Sequence, residues 1–86
     1  MINRILHLTL IKRWFDEIAS GKKKIEYREI KPYWTRRLFD SKGTPKKYDL
    51  ILFRNGYSKG CPKMTVEFKG LKTCKQYELI LGNVIG

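Results

Sequence analysis

The stretch GKKKIEYREIKPYW, residues 21–34, decides how the chain divides into helices and strands. Gly21 suits the left-handed position that commonly follows the last turn of a helix. Ile25–Ile30 alternates with period two, which predicts a strand. Pro32 favours the first position of a new helix. The stretch therefore predicts a helix, a strand and a second helix in succession.

The flanking sequence extends this alternation on both sides. Ile5–Leu10 alternates as a strand with three leucines on one face, and Lys12–Ser20 carries an apolar helical stripe. The remaining predicted elements are a helix over Pro32–Phe39, a central strand over Tyr48–Arg54, a strand over Lys63–Lys69 that bends at Gly70, and a strand over Glu78–Val84 broken at Gly82 and Asn83. This pattern predicts one α+β domain over residues 1–86. We expect a small mixed β-barrel of about five strands with two short helices, in the order β-α-β-α-β-β-β.

Net charge points to the class of partner. The 86 residues include 19 Lys and Arg against eight Asp and Glu, a formal charge of +11. So strong a positive field attracts polyanions, and nucleic acid is the leading class because phosphate neutralisation supplies most non-specific affinity. The alternative, charge kept only for solubility, needs far fewer basic residues.

The cysteine and histidine content predicts no metal site and no cofactor. Cys61 and Cys74 form no Cys-x-x-Cys pair, and His7 is the one histidine. No signal peptide is recognised and no apolar run approaches the ~20 residues that span a bilayer. These features predict a cytoplasmic protein with free thiols and no membrane association. The oligomeric state is not predicted.

The spacing Gly-x-Lys-x-x-Glu-x-Arg gives the first stretch its chemistry. Gly21 brings backbone close to a ligand, and Lys23 lies at the mouth of the strand. Glu26 and Arg28 project from one strand face, two residues apart. Such a set suits a phosphate, a carboxylate or a nucleobase edge. The alternative is a structural Glu26–Arg28 ion pair with solvated lysines around it.

This motif, together with the order of elements, resembles the ASCH domain family, whose fold is PUA-like. The similarity also rests on Leu6–Leu10, Ile18–Gly21, Arg54–Tyr57 and Leu79–Gly82, so it extends over nearly the whole chain. The resemblance implies a β-barrel with a cleft beside the motif strand, and RNA or nucleotide-like ligands.

Some proteins of this family are hydrolases. One subset cleaves the amide of N4-acetylated cytidine and another degrades RNA, and in both the lysine matching Lys23 is implicated. The amidases have a threonine at the position of Glu26 and a further glutamate on a helical segment between the last two strands. Here Leu71–Tyr77 is too short for a long helix. We therefore expect ligand binding without catalysis. A small hydrolase with Lys23 and Glu26 as catalytic residues is the alternative, and a protein-interaction module is a third.

Aromatic residues add a second way to hold a nucleic acid. Tyr33 or Trp34 could stack on a base of single-stranded RNA while Arg36 and Arg37 hold phosphates. Helical periodicity favours core positions for Trp34 and for Trp14 and Phe15, and leaves Tyr33 and Tyr57 open. The complete predicted ligand-binding set is Gly21, Lys23, Glu26, Arg28, Arg54, Asn55, Gly56 and Tyr57.

Overall fold

The computed structural model describes residues 4–86, and its elements follow the predicted order. The α+β prediction of five strands and two short helices is confirmed. The elements are β1 (Ile5–Leu10), α1 (Lys12–Ala19), β2 (Ile25–Arg28), α2 (Pro32–Leu38), β3 (Leu50–Asn55), β4 (Lys63–Thr73) and β5 (Tyr77–Val84).

The five strands form one sheet in the order β1-β3-β4-β5-β2, curled into a half-barrel. β1 and β3 run parallel, with Leu8 opposite Phe53, and every other neighbouring pair is antiparallel. The sheet is therefore mixed, as predicted, and β3 occupies an interior position. Because β1 and β2 are the two edge strands, the half-barrel has an open seam between them.

Period-two alternation builds the core on the inner face of this sheet. Leu6, Leu8 and Leu10 of β1 are buried while the residues between them are more exposed. Burial of each such side chain contributes about 1.5–3 kcal/mol. The other strands add Ile51, Phe53, Met64, Val66, Leu79 and Leu81, and the helices add Phe15, Ile18 and Leu38.

Both β4 and β5 continue through a glycine at which the prediction placed a bend or a break, and the predicted bend at Gly70 coincides with a register shift in β4. β4 continues through Gly70 to Thr73, with shifts in its pairing register to β5 on either side of Phe68. β5 is continuous to Val84, so the predicted break at Gly82 and Asn83 is wrong. A glycine inside a strand can also mark a place where another group approaches the backbone closely. At Gly82 that group is the side chain of Glu67 in β4. A Cβ there would lie 2.9 Å from Cβ of Glu67.

Helix ends and connections agree with the local sequence. Gly21 follows α1 with φ at +83°, and Pro32 begins α2. β4 and β5 are joined by residues 74–76, so the segment over Leu71–Tyr77 is strand and turn without a helix. Cys61 is buried, Cys74 is exposed, and both are free thiols. Within the described residues, neither helix has the length and apolarity needed to cross a membrane.

Candidate ligand-binding site

A pocket of about 550 Å³ lies at the seam of the half-barrel, where the two edge strands face each other. We call it the seam pocket. The end of β1, the first turn of α1, the motif strand β2 and the β4–β5 turn all contribute to its wall. The lining residues are Thr9, Leu10, Ile11, Trp14, Lys23, Glu26, Tyr27, Arg28 and Gln76.

Glu26 is the one buried charged residue within the described part of the chain, at 5 % exposure. One carboxylate oxygen accepts a hydrogen bond of 2.7 Å from Nη2 of Arg28. The other lies 3.4 Å from the ammonium of Lys23. Side chains of Lys23 and Arg28 are themselves only 12 % and 18 % exposed. The cluster thus places two cations and one anion at the pocket wall, a formal charge of +1.

Such a cluster is costly to assemble without compensation. Desolvation of each ion costs several kcal/mol, and mutual attraction repays this only with good geometry and further hydrogen bonds. Glu26 has a cation on each carboxylate oxygen and is well compensated. Among the described residues, no further buried anion balances the surplus positive charge. An incoming anion would therefore complete the charge balance of the cluster.

Arg28 of β2 contacts β1 across the seam. Its Nη2 group donates to the carbonyl oxygen of Thr9 in β1 at 3.3 Å, and its Cζ atom lies 4.9 Å from the ring centre of Trp34. The buried Nε–H of Arg28 makes no hydrogen bond to any residue in the range 4–86. A guanidinium stacked on an aromatic ring keeps its planar fork in a fixed orientation. Arg28 is thus a preoriented donor group.

Lys23 is fixed by its backbone and its side chain. Its N–H donates to the carbonyl oxygen of Glu17 in α1 at 3.0 Å. The ammonium lies 5.1 Å from the ring centre of Trp14 and 4.8 Å from that of Tyr27. Two aromatic faces and one carboxylate therefore hold this cation in place, at distances typical of cation–π contacts.

The remaining predicted residues are not brought to this cluster. Gly21 lies outside the lining of the seam pocket, and so do Arg54, Asn55, Gly56 and Tyr57. Arg54 is paired with Thr9 in the β1–β3 ladder, one strand further from the seam. Tyr57 is 90 % exposed. The predicted facing loop therefore does not line this pocket, because β3 lies on the far side of β1 from β2.

Sequence reasoning missed several residues of the wall. Trp14, for which helical periodicity favours a core position, packs against the core and also lines the pocket. Tyr27 is 44 % exposed with its ring beside Lys23. Gln76 enters from the β4–β5 turn. Their contribution depends on the tertiary meeting of β1 and β2, for which the local sequence carries no signal.

The described residues contain no cluster of three or more histidine, cysteine, aspartate or glutamate side chains placed to hold a metal ion. Comparisons of the chain with protein-family models, curated proteins and solved structures found no match.

Proposed function

We propose that this chain is an ASCH-like domain of PUA-like fold that binds RNA or a nucleotide-like ligand, without catalysis, in the seam pocket. The observation that carries the proposal is the Lys23–Glu26–Arg28 cluster, with its surplus positive charge at the wall of a pocket large enough for a small ligand.

The chemistry of the wall suits the two parts of a nucleotide. Arg28 and Lys23 are donors for a phosphate, and charge-assisted hydrogen bonds of this kind are roughly twice as strong as neutral ones. Tyr27, which is 44 % exposed, offers an aromatic ring, and stacking of a base on such a ring contributes about 1–3 kcal/mol. The formal charge of +11 would draw the polyanion toward the domain from a distance.

The second candidate is a small hydrolase of a modified nucleoside or of RNA. The contact of 3.4 Å between Lys23 and Glu26 favours it, because general acid–base catalysis needs a proton donor and acceptor within reach of a bound ligand. In this function Glu26 would take a proton from the attacking water, and Lys23 would give a proton to the leaving group as the scissile bond breaks. The anion-binding role of Arg28 is common to both candidates.

The test is a titration of the wild-type chain and of Lys23→Gln with fluorescently labelled single-stranded RNA, followed by fluorescence anisotropy. We expect Lys23→Gln to weaken binding at least tenfold, with Lys59→Gln as the matched control because Lys59 is exposed and lines no described pocket. A thermal melt of each variant separates loss of binding from loss of folding.

Amide chemical shifts of the wild-type chain supply a readout that needs no variant. We expect RNA to perturb residues 23–28 more than the loop at residues 56–62. Equal affinity of Lys23→Gln and wild type, or perturbations confined to another face, would refute the proposal. Turnover of RNA or N4-acetylcytidine by the wild type, abolished in Lys23→Gln, would instead establish the hydrolase.

A further inference from the structure

A second depression, of about 300 Å³, adjoins the seam pocket, and Lys23 lines both. We call the second one the lysine-turn pocket, because it is formed around the turn between α1 and β2. Both depressions share the side chains of Trp14, Lys23 and Tyr27. The remaining lining of the lysine-turn pocket is Glu17, Lys22, Lys24 and Ile25. With three residues in common, the two depressions adjoin and meet at Lys23.

Each depression has its own surplus of positive charge. In the lysine-turn pocket, Lys22 and Lys24 are exposed, and neither makes an ion pair within residues 4–86. The carboxylate of Glu17 is 3.4 Å from the guanidinium of Arg13 and so has a cation of its own. In the seam pocket the surplus comes from Lys23 and Arg28 against Glu26. An anion is therefore favoured on both sides of Lys23.

The turn that carries these lysines is held in place by the backbone. The N–H of Lys23 donates to α1 at Glu17, and the N–H of Leu81 donates to the carbonyl oxygen of Lys24 at 2.9 Å. The turn is thus fastened to a helix on one side and to β5 on the other. Binding would not require ordering of this backbone, which removes one of the main entropic costs of association.

We propose that the two depressions are consecutive subsites for one single strand of nucleic acid, which crosses over Lys23. Lys22 and Lys24 hold one phosphate, the half-exposed ring of Tyr27 stacks a base at the junction, and Lys23 with Arg28 holds a later phosphate. This inference rests on the proposed function and defines its ligand as an oligonucleotide.

The length of the surface supports an oligomer over a mononucleotide. Lys24 and Arg28 are four strand positions apart, which is about 13 Å at roughly 3.3 Å per residue. Stacked nucleotides in one strand place a charge about every 3.4 Å. The distance from Lys24 to Arg28 therefore corresponds to about four stacked nucleotides, which favours an oligonucleotide over a mononucleotide as the ligand.

The experiment compares uridine monophosphate with tetrauridylate in calorimetric titrations at several salt concentrations. The variant is Lys22→Gln combined with Lys24→Gln. Its matched control is Lys42→Gln combined with Lys59→Gln, which removes the same two charges from exposed loops that line neither depression. Both double variants lower the formal charge of +11 by two, so a general field effect appears equally in each.

For the wild type we expect tetrauridylate to bind at least tenfold more tightly than the monophosphate. In the Lys22/Lys24 variant the slope of log affinity against log salt for tetrauridylate should become shallower by about 0.7, because the one phosphate that these two lysines hold is no longer neutralised. Its affinity for uridine monophosphate should stay within twofold of the wild type. The control should keep the wild-type slope.

Two results would overturn the inference and leave the proposed function standing. One is equal affinity of the wild type for monophosphate and tetranucleotide. The other is an unchanged salt slope in the Lys22/Lys24 variant, which would mean that the bound strand extends from the seam pocket over a different surface. Failure of the wild type to bind either ligand would refute the proposed function itself, and the inference with it.

Discussion

Replacement of Glu26 by glutamine tests whether the buried cluster is assembled for ligand binding or for stability. Glutamine keeps the size of the side chain and an oxygen that accepts from Arg28, but it removes the negative charge between Lys23 and Arg28. The formal charge of the cluster rises from +1 to +2. We therefore expect two effects of opposite sign, a lower free energy of unfolding and a higher affinity of the folded protein for an anion.

The magnitude of the stability loss follows from burial. Removal of one partner from a buried ion pair costs about 3–5 kcal/mol, since the charge left behind is uncompensated. Here Lys23 and Arg28 retain 12 % and 18 % exposure, so water screens part of their repulsion and the lower end, about 3 kcal/mol, applies. An 86-residue domain has a total stability of about 4–13 kcal/mol, so the variant should remain measurable in urea titrations.

Glu29→Gln is the matched control, because Glu29 lies just beyond β2 and pairs with Lys31 at 3.2 Å on the surface. Its side chain is 67 % exposed, and an exposed pair contributes at most about 1 kcal/mol. Urea unfolding followed by far-ultraviolet circular dichroism gives both stabilities, and phosphate titration gives the affinities. Equal stability losses at the two positions would refute the argument from burial. Weaker phosphate binding by folded Glu26→Gln would refute the argument from charge.

Two further predictions concern the contact between β4 and β5. Gly82→Ala should lower the free energy of unfolding, measured by urea titration, by about 1–3 kcal/mol. The reason is that the added Cβ would lie 2.7 Å from Cε of Lys69 and 2.9 Å from Cβ of Glu67. A loss below about 0.5 kcal/mol would contradict this prediction. The N–H of Asn83 donates to the Glu67 carboxylate at 2.9 Å, and this bond and the charge of Lys69 hold the pKa of Glu67 below its ordinary value. A lowered pKa stabilises the folded state above the unfolded pKa of about 4.3, and this stabilisation is lost as the pH falls through the folded pKa. Glu67→Gln should therefore flatten the fall of the melting temperature between about pH 5 and 3, and a profile parallel to the wild type would refute the assignment.

The strands and helices could be predicted because their signals are local. Alternation in Ile5–Leu10 and the glycine after α1 depend only on neighbouring residues, and both predictions are confirmed. The break expected at Gly82 is wrong because the glycine accommodates the side chain of Glu67 on another strand. The position of β2 beyond β5 in the sheet is a long-range pairing, and alternation carries no information about it.

The difference between local and long-range signals also explains which residues of the candidate site could be predicted. Period two places Glu26 and Arg28 on one face of β2, and a lysine three residues before Glu26 can reach back to it. Their proximity could therefore be predicted from spacing. The role of Trp14 beside Lys23 could not, because it requires the turn between α1 and β2 to fold back onto α1, a geometry that the sequence does not specify.

The fold and the site share one structural problem, the unpaired edge of β1. An edge strand exposes carbonyl groups that invite pairing with another chain, and charged side chains commonly block such edges. Here the carbonyl oxygen of Thr9 accepts a hydrogen bond from Arg28, and that of His7 accepts one of 2.7 Å from Arg37 of α2. The ring centre of Trp34 lies 4.9 Å from Cζ of Arg28 and 5.4 Å from Cζ of Arg37. Two arginines thus cover alternate carbonyls of β1 and keep positive charge along the seam. The guanidinium of Arg28 also donates to the carboxylate of Glu26. Arg28 therefore both covers the edge of β1 and assembles the charged wall of the seam pocket.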